Sequence, residues 1–309
     1  MNTILFCGFT RGLAALKTMV ESGNRPSRVY IYPEDAWETE QRFGDIAAYC
    51  EGLGIAYTIT KGGKVNVEPC DLILVVGWRS LINVDVRNAA RLGAFAIHWS
   101  LLPKYRGFCP LNWAIINGEQ ETGATLFKLT DGADEGPVKA QDAVTIGPDD
   151  DAGTLTTKLI ALEQTFISAL LADPENDYVY EQIGEPTYCS WRVPADGLLR
   201  WGQTANSLWN QVRGLTHPYP GARTLYVPEG YANLLDSKRT LYIWKAHVTP
   251  ASYYLHGNDA GKVERFHPAS GVNIVCGDGN LLTLERVQLE GDVERDAAEV
   301  ITRLKVRLG

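Results

Sequence analysis

The sequence predicts an α/β fold, a mostly parallel sheet interleaved with helices, followed by a small β-rich domain. Three observations predict it. Short apolar runs alternate with helically spaced apolar residues as far as Ala172, the pattern of strand–helix–strand units joined by right-handed crossovers. Pro174, Pro186 and Pro194 then punctuate an irregular stretch. After Tyr219-Pro220-Gly221, short β-prone runs separated by turn residues replace the alternation.

The elements follow in order. Ile4-Leu5-Phe6-Cys7-Gly8 is an apolar strand closed by glycine, and Leu13, Leu16, Met19 and Val20 follow at helical spacing. Val29–Tyr32 is a second strand, and Ile46–Gly52 a helix ending near glycine. Leu72–Gly77 is apolar throughout, as expected of a strand buried on both faces. Ala94–His98 is a strand ending in polar residues. Residues 110–118 read as a helix opened by Pro110, a favourable first-turn residue. Ala124–Leu129 is a strand, and a polar loop runs from Thr130 to Pro137. Residues 152–172 form a helix with Leu155, Leu159, Leu162, Phe166 and Leu170 on one face. Residues 203–214 are a short helix; Arg223–Val227, Leu241–Lys245, Val272–Cys276 and Leu281–Leu284 are strands of a small domain of the kind that closes into a barrel. Residues 293–309 read as an amphipathic helix. These patterns divide the chain into a first domain at 1–175, a linker at 176–202 and a β-rich domain at 203–309.

Composition narrows the function classes. A chain of 309 residues, 45% apolar and 21% charged, can bury a sizeable core. No stretch approaches the roughly 20 uninterrupted apolar residues that span a bilayer. The opening Met1-Asn2-Thr3-Ile4 lacks the basic segment of a secretion signal. The expectation is a cytoplasmic protein with no membrane partner. A net charge of −8 argues against nucleic acid, whose binders replace phosphate counterions with basic patches. The six cysteines are scattered without a C-x-x-C pair, so reduced thiols and no metal are expected. Gly8 and Gly12 fit neither G-x-G-x-x-G nor a phosphate-binding loop.

The chemistry-bearing block runs from His98 to Gly136. It reads His98-Trp99-Ser100-Leu101-Leu102-Pro103-Lys104-Tyr105-Arg106-Gly107, then Trp113-Ala114-Ile115, Gly118-Glu119, Thr122-Gly123-Ala124-Thr125 and Asp134-Glu135-Gly136-Pro137. A histidine at a strand end lies where ligands of such sheets gather and can move protons near neutral pH. Asp134, in the loop after the next strand, can reach across the same sheet edge, and a carboxylate partner favours a charged imidazole. Taken singly, His98 could merely cap a strand and Asp134 shape a turn.

Together the block resembles the folate-dependent formyltransferases: His-x-Ser-Leu-Leu-Pro-x-Tyr-Arg-Gly, then Thr-Gly-x-Thr, then Asp-x-Gly. The likeness continues through Asn210-x-Val212-Arg213-Gly214-Leu215 and Pro218-Tyr219-Pro220-Gly221-Ala222, and so covers most of the chain. It implies a Rossmann-like catalytic domain with helices on both faces of the sheet and a small C-terminal β-barrel-like (OB-like) domain. It implies the cosubstrate N10-formyltetrahydrofolate. His98 then stabilises the tetrahedral intermediate and passes a proton toward the folate nitrogen, and Asp134 keeps it charged and ordered. Folate contacts are implied at Trp78 and Arg79 after Gly77, at Ser100, Leu101, Leu102 and Pro103, and at Thr130, Asp131, Gly132 and Ala133.

The sequence departs from the family at Ala96, where the family asparagine stands two residues before the histidine. That amide donates to the developing oxyanion, and losing such a donor typically costs about 10²–10³ in rate. Three readings stay open: another donor serves, the residue was changed to trap a complex, or the reaction is gone and a binder remains. Trp99 stands where the family often has a smaller residue.

For the acceptor, the run through Tyr105-Arg106-Gly107 and Leu111-Asn112-Trp113 looks most like the amino-sugar-nucleotide formyltransferases. Lys104, Tyr105 and Arg106 are then the candidate acceptor contacts, arginine suiting a diphosphate. Hydroxyornithine-type enzymes share much of the block. Methionyl-tRNA formyltransferases carry a basic loop after the second strand; here Tyr32–Glu40 is acidic, and would repel phosphates. A C-terminal domain of this kind can pair subunits, so a homodimer is open.

Overall fold

The computed structural model describes every residue except 37, 39–40, 228–237, 252–258, 268–270 and 304–305. The chain forms two compact units. The first takes Met1–Leu111, Gln120–Ile146 and Thr154–Trp191; the second takes Asn112–Glu119, Gly147–Gly153 and Arg192–Gly309. The stretch set apart in the sequence as a linker is thereby shared. Residues 176–191 stay with the first unit, where Tyr180 bridges Val138. Residues 192–202 join the second, where Leu199 and Trp201 are buried.

In chain order the first unit contains β1 (Thr3–Cys7), α1 (Phe9–Glu21), β2 (Arg28–Ile31), α2 (Phe43–Leu53), β3 (Ala56–Ile59), β4 (Leu72–Val76), α3 (Val84–Asn88), β5 (Ala94–His98) and β6 (Arg106–Gly107). The short α4 (Pro110–Ile116) leads to β7 (Glu121–Lys128), β8 (Val138–Thr145), α5 (Ala152–Ala172) and β9 (Tyr188–Cys189). The main sheet has strand order β3-β2-β1-β4-β5-β7-β8. Pairing is parallel from β3 to β5 and antiparallel for β5–β7 and β7–β8. This is a Rossmann-like, parallel-rich sheet with an antiparallel edge. All five residues of β1, β4 and β5 are buried, as expected of strands covered on both faces. One row across the sheet, Tyr30–Phe6–Val75–Ala96–Phe127, follows from the strand registers and lies within one apolar cluster. By length and mean hydropathy, 1.2 over its most apolar window, α5 would suit a membrane, but Leu155, Leu159, Phe166, Ile167 and Leu170 are buried within the protein.

Two glycines set the close approach of β1, α1 and β4. A Cβ on Gly12 would lie 2.9 Å from the Cys7 side chain. Gly77, with φ +67°, would bring a Cβ within 2.5 Å of the Gly8 carbonyl oxygen and 3.1 Å of Arg11 Cγ. Only glycine fits there.

The second unit, which also takes α4 from Asn112 onward, includes α6 (Ala205–Leu215), capped by Thr204, whose hydroxyl accepts from the Ser207 N–H at 3.2 Å. Then come β10 (Ala222–Val227), β11 (Arg239–Thr249), β12 (Val263–His267), β13 (Gly271–Val275), β14 (Leu281–Leu289), β15 (Arg295–Asp296), α7 (Ala297–Val300) and β16 (Arg307–Leu308). The path β12-β13-β14-β11-β10-β16 is antiparallel wherever its strands pair. Leu308 N–H donates to the Gly261 carbonyl at 2.9 Å, just before β12, so the two ends of the path meet and the sheet curls as a barrel does. The amphipathic helix expected over 293–309 is therefore replaced by a two-residue strand, one helical turn and β16. Val306 and Leu308 are more useful in the core of this sheet, where both are buried. Residues 304–305 of that stretch lie outside the described residues.

Candidate functional site

β5 ends in His98, beyond the last ladder of parallel strands, where open α/β sheets collect ligands. Alternation puts Ala94, Ala96 and His98 on one face. His98 is 8% exposed. Its Nε2 is 2.7 Å from the Tyr105 carbonyl oxygen, so that nitrogen carries a proton and donates it. Its Nδ1 faces Asp134 Oδ2 at 3.5 Å, within ion-pair range and too long for a good hydrogen bond. Both ring nitrogens thus look at oxygen acceptors. The sequence-derived pair is brought together.

Asp134 is held by its own surroundings. Its Oδ2 accepts the Gly107 N–H at 2.8 Å, and its carbonyl accepts from Gln182 Nε2 at 2.8 Å. Its φ of 57° and that of Tyr105, 59°, lie in the left-handed region. Aspartate tolerates that region better than most residues; tyrosine does not. The main-chain bends on both sides of the imidazole are therefore imposed by the surrounding fold.

The Ser100–Pro103 segment is built as a scaffold. Thr125 Oγ1 donates to the Ser100 carbonyl at 2.6 Å and accepts from the Leu102 N–H at 3.2 Å. Gln141 Nε2 reaches the Leu102 carbonyl at 2.9 Å. Ser100 is buried, with its hydroxyl donating to the Lys104 carbonyl at 2.6 Å. Leu102 and Pro103 are buried and Leu101 is half-buried. On the other loop, Thr130, Asp131 and Ala133 are exposed and Gly132 is half-exposed; the Asp131 carboxylate pairs with Arg87.

The candidate acceptor contacts divide. Lys104 is exposed and Tyr105 half-exposed. Arg106 is occupied: Nη2 donates to Gln182 Oε1 at 2.8 Å, and Nη1 lies 3.4 Å from Glu135 Oε1 and 3.3 Å from the Tyr188 hydroxyl. It ties residues 182–188 to the loops, aided by the β6–β9 pairing.

Trp78 and Arg79 stand just past β4. The Trp78 ring meets Phe6 and Tyr32 edge-on, at 5.2 and 5.3 Å. Arg79 lies over Phe9 at 4.4 Å and Trp191 at 5.3 Å, and pairs with Glu38. Trp78 Nε1 and Arg79 Nη1 are buried and without a hydrogen-bond partner among the described residues. The acidic stretch after β2 is less repulsive than its sequence suggests. Glu34 accepts the N–H groups of Phe9, Arg42 and Phe43 at 3.2, 3.0 and 3.0 Å, and Asp35 pairs with Lys61. Trp37, Thr39 and Glu40 of that stretch lie outside the described residues.

Sequence reasoning missed Arg11 and Glu163. The Arg11 guanidinium donates to the Ile97 carbonyl at 2.9 Å, pairs with Glu163 and stacks on Trp99 at 4.1 Å. Burial pushes the Glu163 carboxyl up to about 7, against the opposing pull of Arg11. The signal was present: Glu163 interrupts the apolar stripe Leu155–Leu159–Phe166–Leu170 of α5. Cys189 is no nucleophile, since burial, reinforced by Cys109 and Asp134, pushes its thiol up to about 12. Among the described residues no three of His, Cys, Asp and Glu are grouped to hold a metal ion.

Residues 61–171 match the family described as Formyl transferase, and residues 193–305 match Formyl transferase, C-terminal domain. Solved structures share the fold at low identity. WlaRD, a sugar 3N-formyl transferase solved in the presence of dTDP and 5-N-formyl-THF, is 16% identical; the match covers 95% of this chain and 99% of that one, with a TM-score of 0.63. An N-formyltransferase from Helicobacter canadensis, in complex with folinic acid and dTDP-3-aminofucose, is 17% identical over 92% of this chain and 99% of that one, with a TM-score of 0.61. HypX from Aquifex aeolicus is 16% identical, with a TM-score of 0.62; the match covers 98% of this chain, which spans about half the length of HypX, 47%.

Proposed function

This chain belongs to the formyl transferase family, and from that premise we propose that it moves a formyl group from N10-formyltetrahydrofolate to the amine of an amino sugar nucleotide. The observation that carries the reading is His98, held at the end of β5 between the Tyr105 carbonyl and the Asp134 carboxylate. The buried donor Trp78 Nε1, without a hydrogen-bond partner among the described residues, supports the cosubstrate, since a heteroatom-rich pteridine offers the acceptor that such a group lacks. The ligands of WlaRD and of the Helicobacter canadensis enzyme, a folate and a dTDP or dTDP-sugar, support both halves of the reaction.

N10-formyltetrahydrofolate would supply the formyl carbon that the acceptor amine attacks. His98 carries the proton traffic. An acceptor atom of the bound substrates competes with the Tyr105 carbonyl for the Nε2 proton, and Asp134, fixed by the Gly107 N–H, balances charge on the ring. Ala96 offers no donor. Another group, a main-chain N–H or water, must then face the developing negative charge. Lys104 and Tyr105 are exposed enough to meet the acceptor; Arg106 reaches it only by leaving Gln182.

Ala96 also favours a second reading, a relative that binds folate or nucleotide without transfer. Both are tested by incubating wild type and Ala96→Asn with N10-formyltetrahydrofolate and a panel of dTDP- and UDP-linked amino sugars, hydroxyornithine and charged tRNA. Tetrahydrofolate release is measured together with the mass of the acceptor. The expected result is acceptor-dependent release with a sugar nucleotide. Turnover confined to another amine overturns the sugar, and silence of both proteins with every amine leaves the binder.

A further inference from the structure

We propose that Arg11, backed by Glu163, is a positioning residue for His98, gripping the chain on both sides of the imidazole. The inference rests on the reading of His98 as the proton-transfer group. It begins at Gly77. Because that position has no side chain, the Arg11 stem passes over the end of β4, where a Cβ would stand 3.1 Å from its Cγ. The guanidinium thereby reaches β5, two strands from β1, which leads into α1.

There it makes three contacts. Nη2 donates to the carbonyl of Ile97, the residue before His98, at 2.9 Å. The guanidinium plane covers the ring of Trp99, the residue after it, at 4.1 Å. Glu163, 2% exposed on α5, closes the arrangement as the counter-charge, and the Trp99 indole N–H faces its carboxyl outside hydrogen-bond geometry. A single planar cation therefore fixes the main chain before His98 and the side chain after it. Arginine suits the task because its fork donates in several fixed directions while its face stacks on an aromatic ring. The grip also explains the large residue at 99, since a small one would leave the guanidinium face without its ring.

The test uses the full chain and the variants Arg11→Met, Trp99→Leu and Trp99→Phe. One readout is independent of any acceptor: the NMR titration of the His98 ring, assigned by its loss in His98→Gln. The other is kcat against KM for the formyl donor. Arg11→Met and Trp99→Leu are expected to move the His98 midpoint and to lower kcat about tenfold to a hundredfold with little change in KM, as misplacement of a reacting group does. Trp99→Phe, which keeps a ring under the cation, is expected to restore both. Folded Arg11→Met and Trp99→Leu with a wild-type His98 titration and wild-type kcat overturn the proposal. Should Arg11→Met not fold, the contrast between Trp99→Leu and Trp99→Phe decides alone. Should wild type show no turnover, the proposed reaction fails separately, and the His98 titration still decides on the grip.

Discussion

Replacing Glu163 by Gln removes a buried charge while keeping the shape of the side chain and its capacity to accept from Arg11. Burial raises the carboxyl from 4.5 to about 7 because desolvation outweighs the attraction of Arg11. At roughly 1.4 kcal/mol per unit, that shift corresponds to about 3 kcal/mol. The folded state holds the proton more tightly than the unfolded state. The group's contribution to stability is therefore complete below about pH 4.5 and is lost as pH rises through about 7. Arg11, the charge that faces the carboxyl, stays protonated throughout this window. Glutamine has no such dependence. Urea unfolding of both proteins, following the transition that the substitution moves, should show the wild-type-minus-variant stability falling by roughly 2–3 kcal/mol between about pH 5 and about pH 8. A difference that stays constant within about 0.5 kcal/mol, or that turns in favour of wild type at high pH, would refute the argument that burial dominates this pair.

Three other outcomes are expected. Ala96→Asn places an amide two residues before His98 and should raise kcat by about a hundredfold if no other donor serves, and by far less if one already does; initial rates of tetrahydrofolate release distinguish these. Asp134→Asn keeps a residue suited to φ 57° and an acceptor for the Gly107 N–H, so it should lower kcat strongly with little change in thermal stability, whereas Asp134→Ala should also destabilise by about 1–3 kcal/mol. Gly77→Ala meets both a positive φ and the Gly8 carbonyl; a loss of about 2 kcal/mol or more is expected by thermal unfolding.

The parts of the fold that were legible are those whose burial is one-sided or complete. β1, β4 and β5 are buried at every position and read as continuous apolar runs. The stripe of α5 showed its length. β3 and β8 escaped because they lie at the two edges of the sheet, with mostly exposed or half-exposed residues and no apolar run to betray them. The C-terminal segment misled because Ala297, Ile301 and Leu308 are spaced so as to pass for a helix face, whereas strand pairing with β10 claims the last of them. At the site, His98 and Asp134 were legible from motif spacing. Arg11, Gln141, Gln182 and Glu163 were not, since each acts across 39 residues of chain or more through contacts that only the folded topology creates.

The matches to the family stop at residue 171 and resume at 193. Within that unmatched interval lie Gln182, whose amide donates to the carbonyls of both Asp134 and Gly136, and Thr187, whose hydroxyl accepts the Tyr105 N–H. The contacts that hold these two loops are thus made from a segment outside both matched stretches. Exchanging this stretch between relatives would accordingly reset the two loops while His98 and Asp134 themselves stay unchanged.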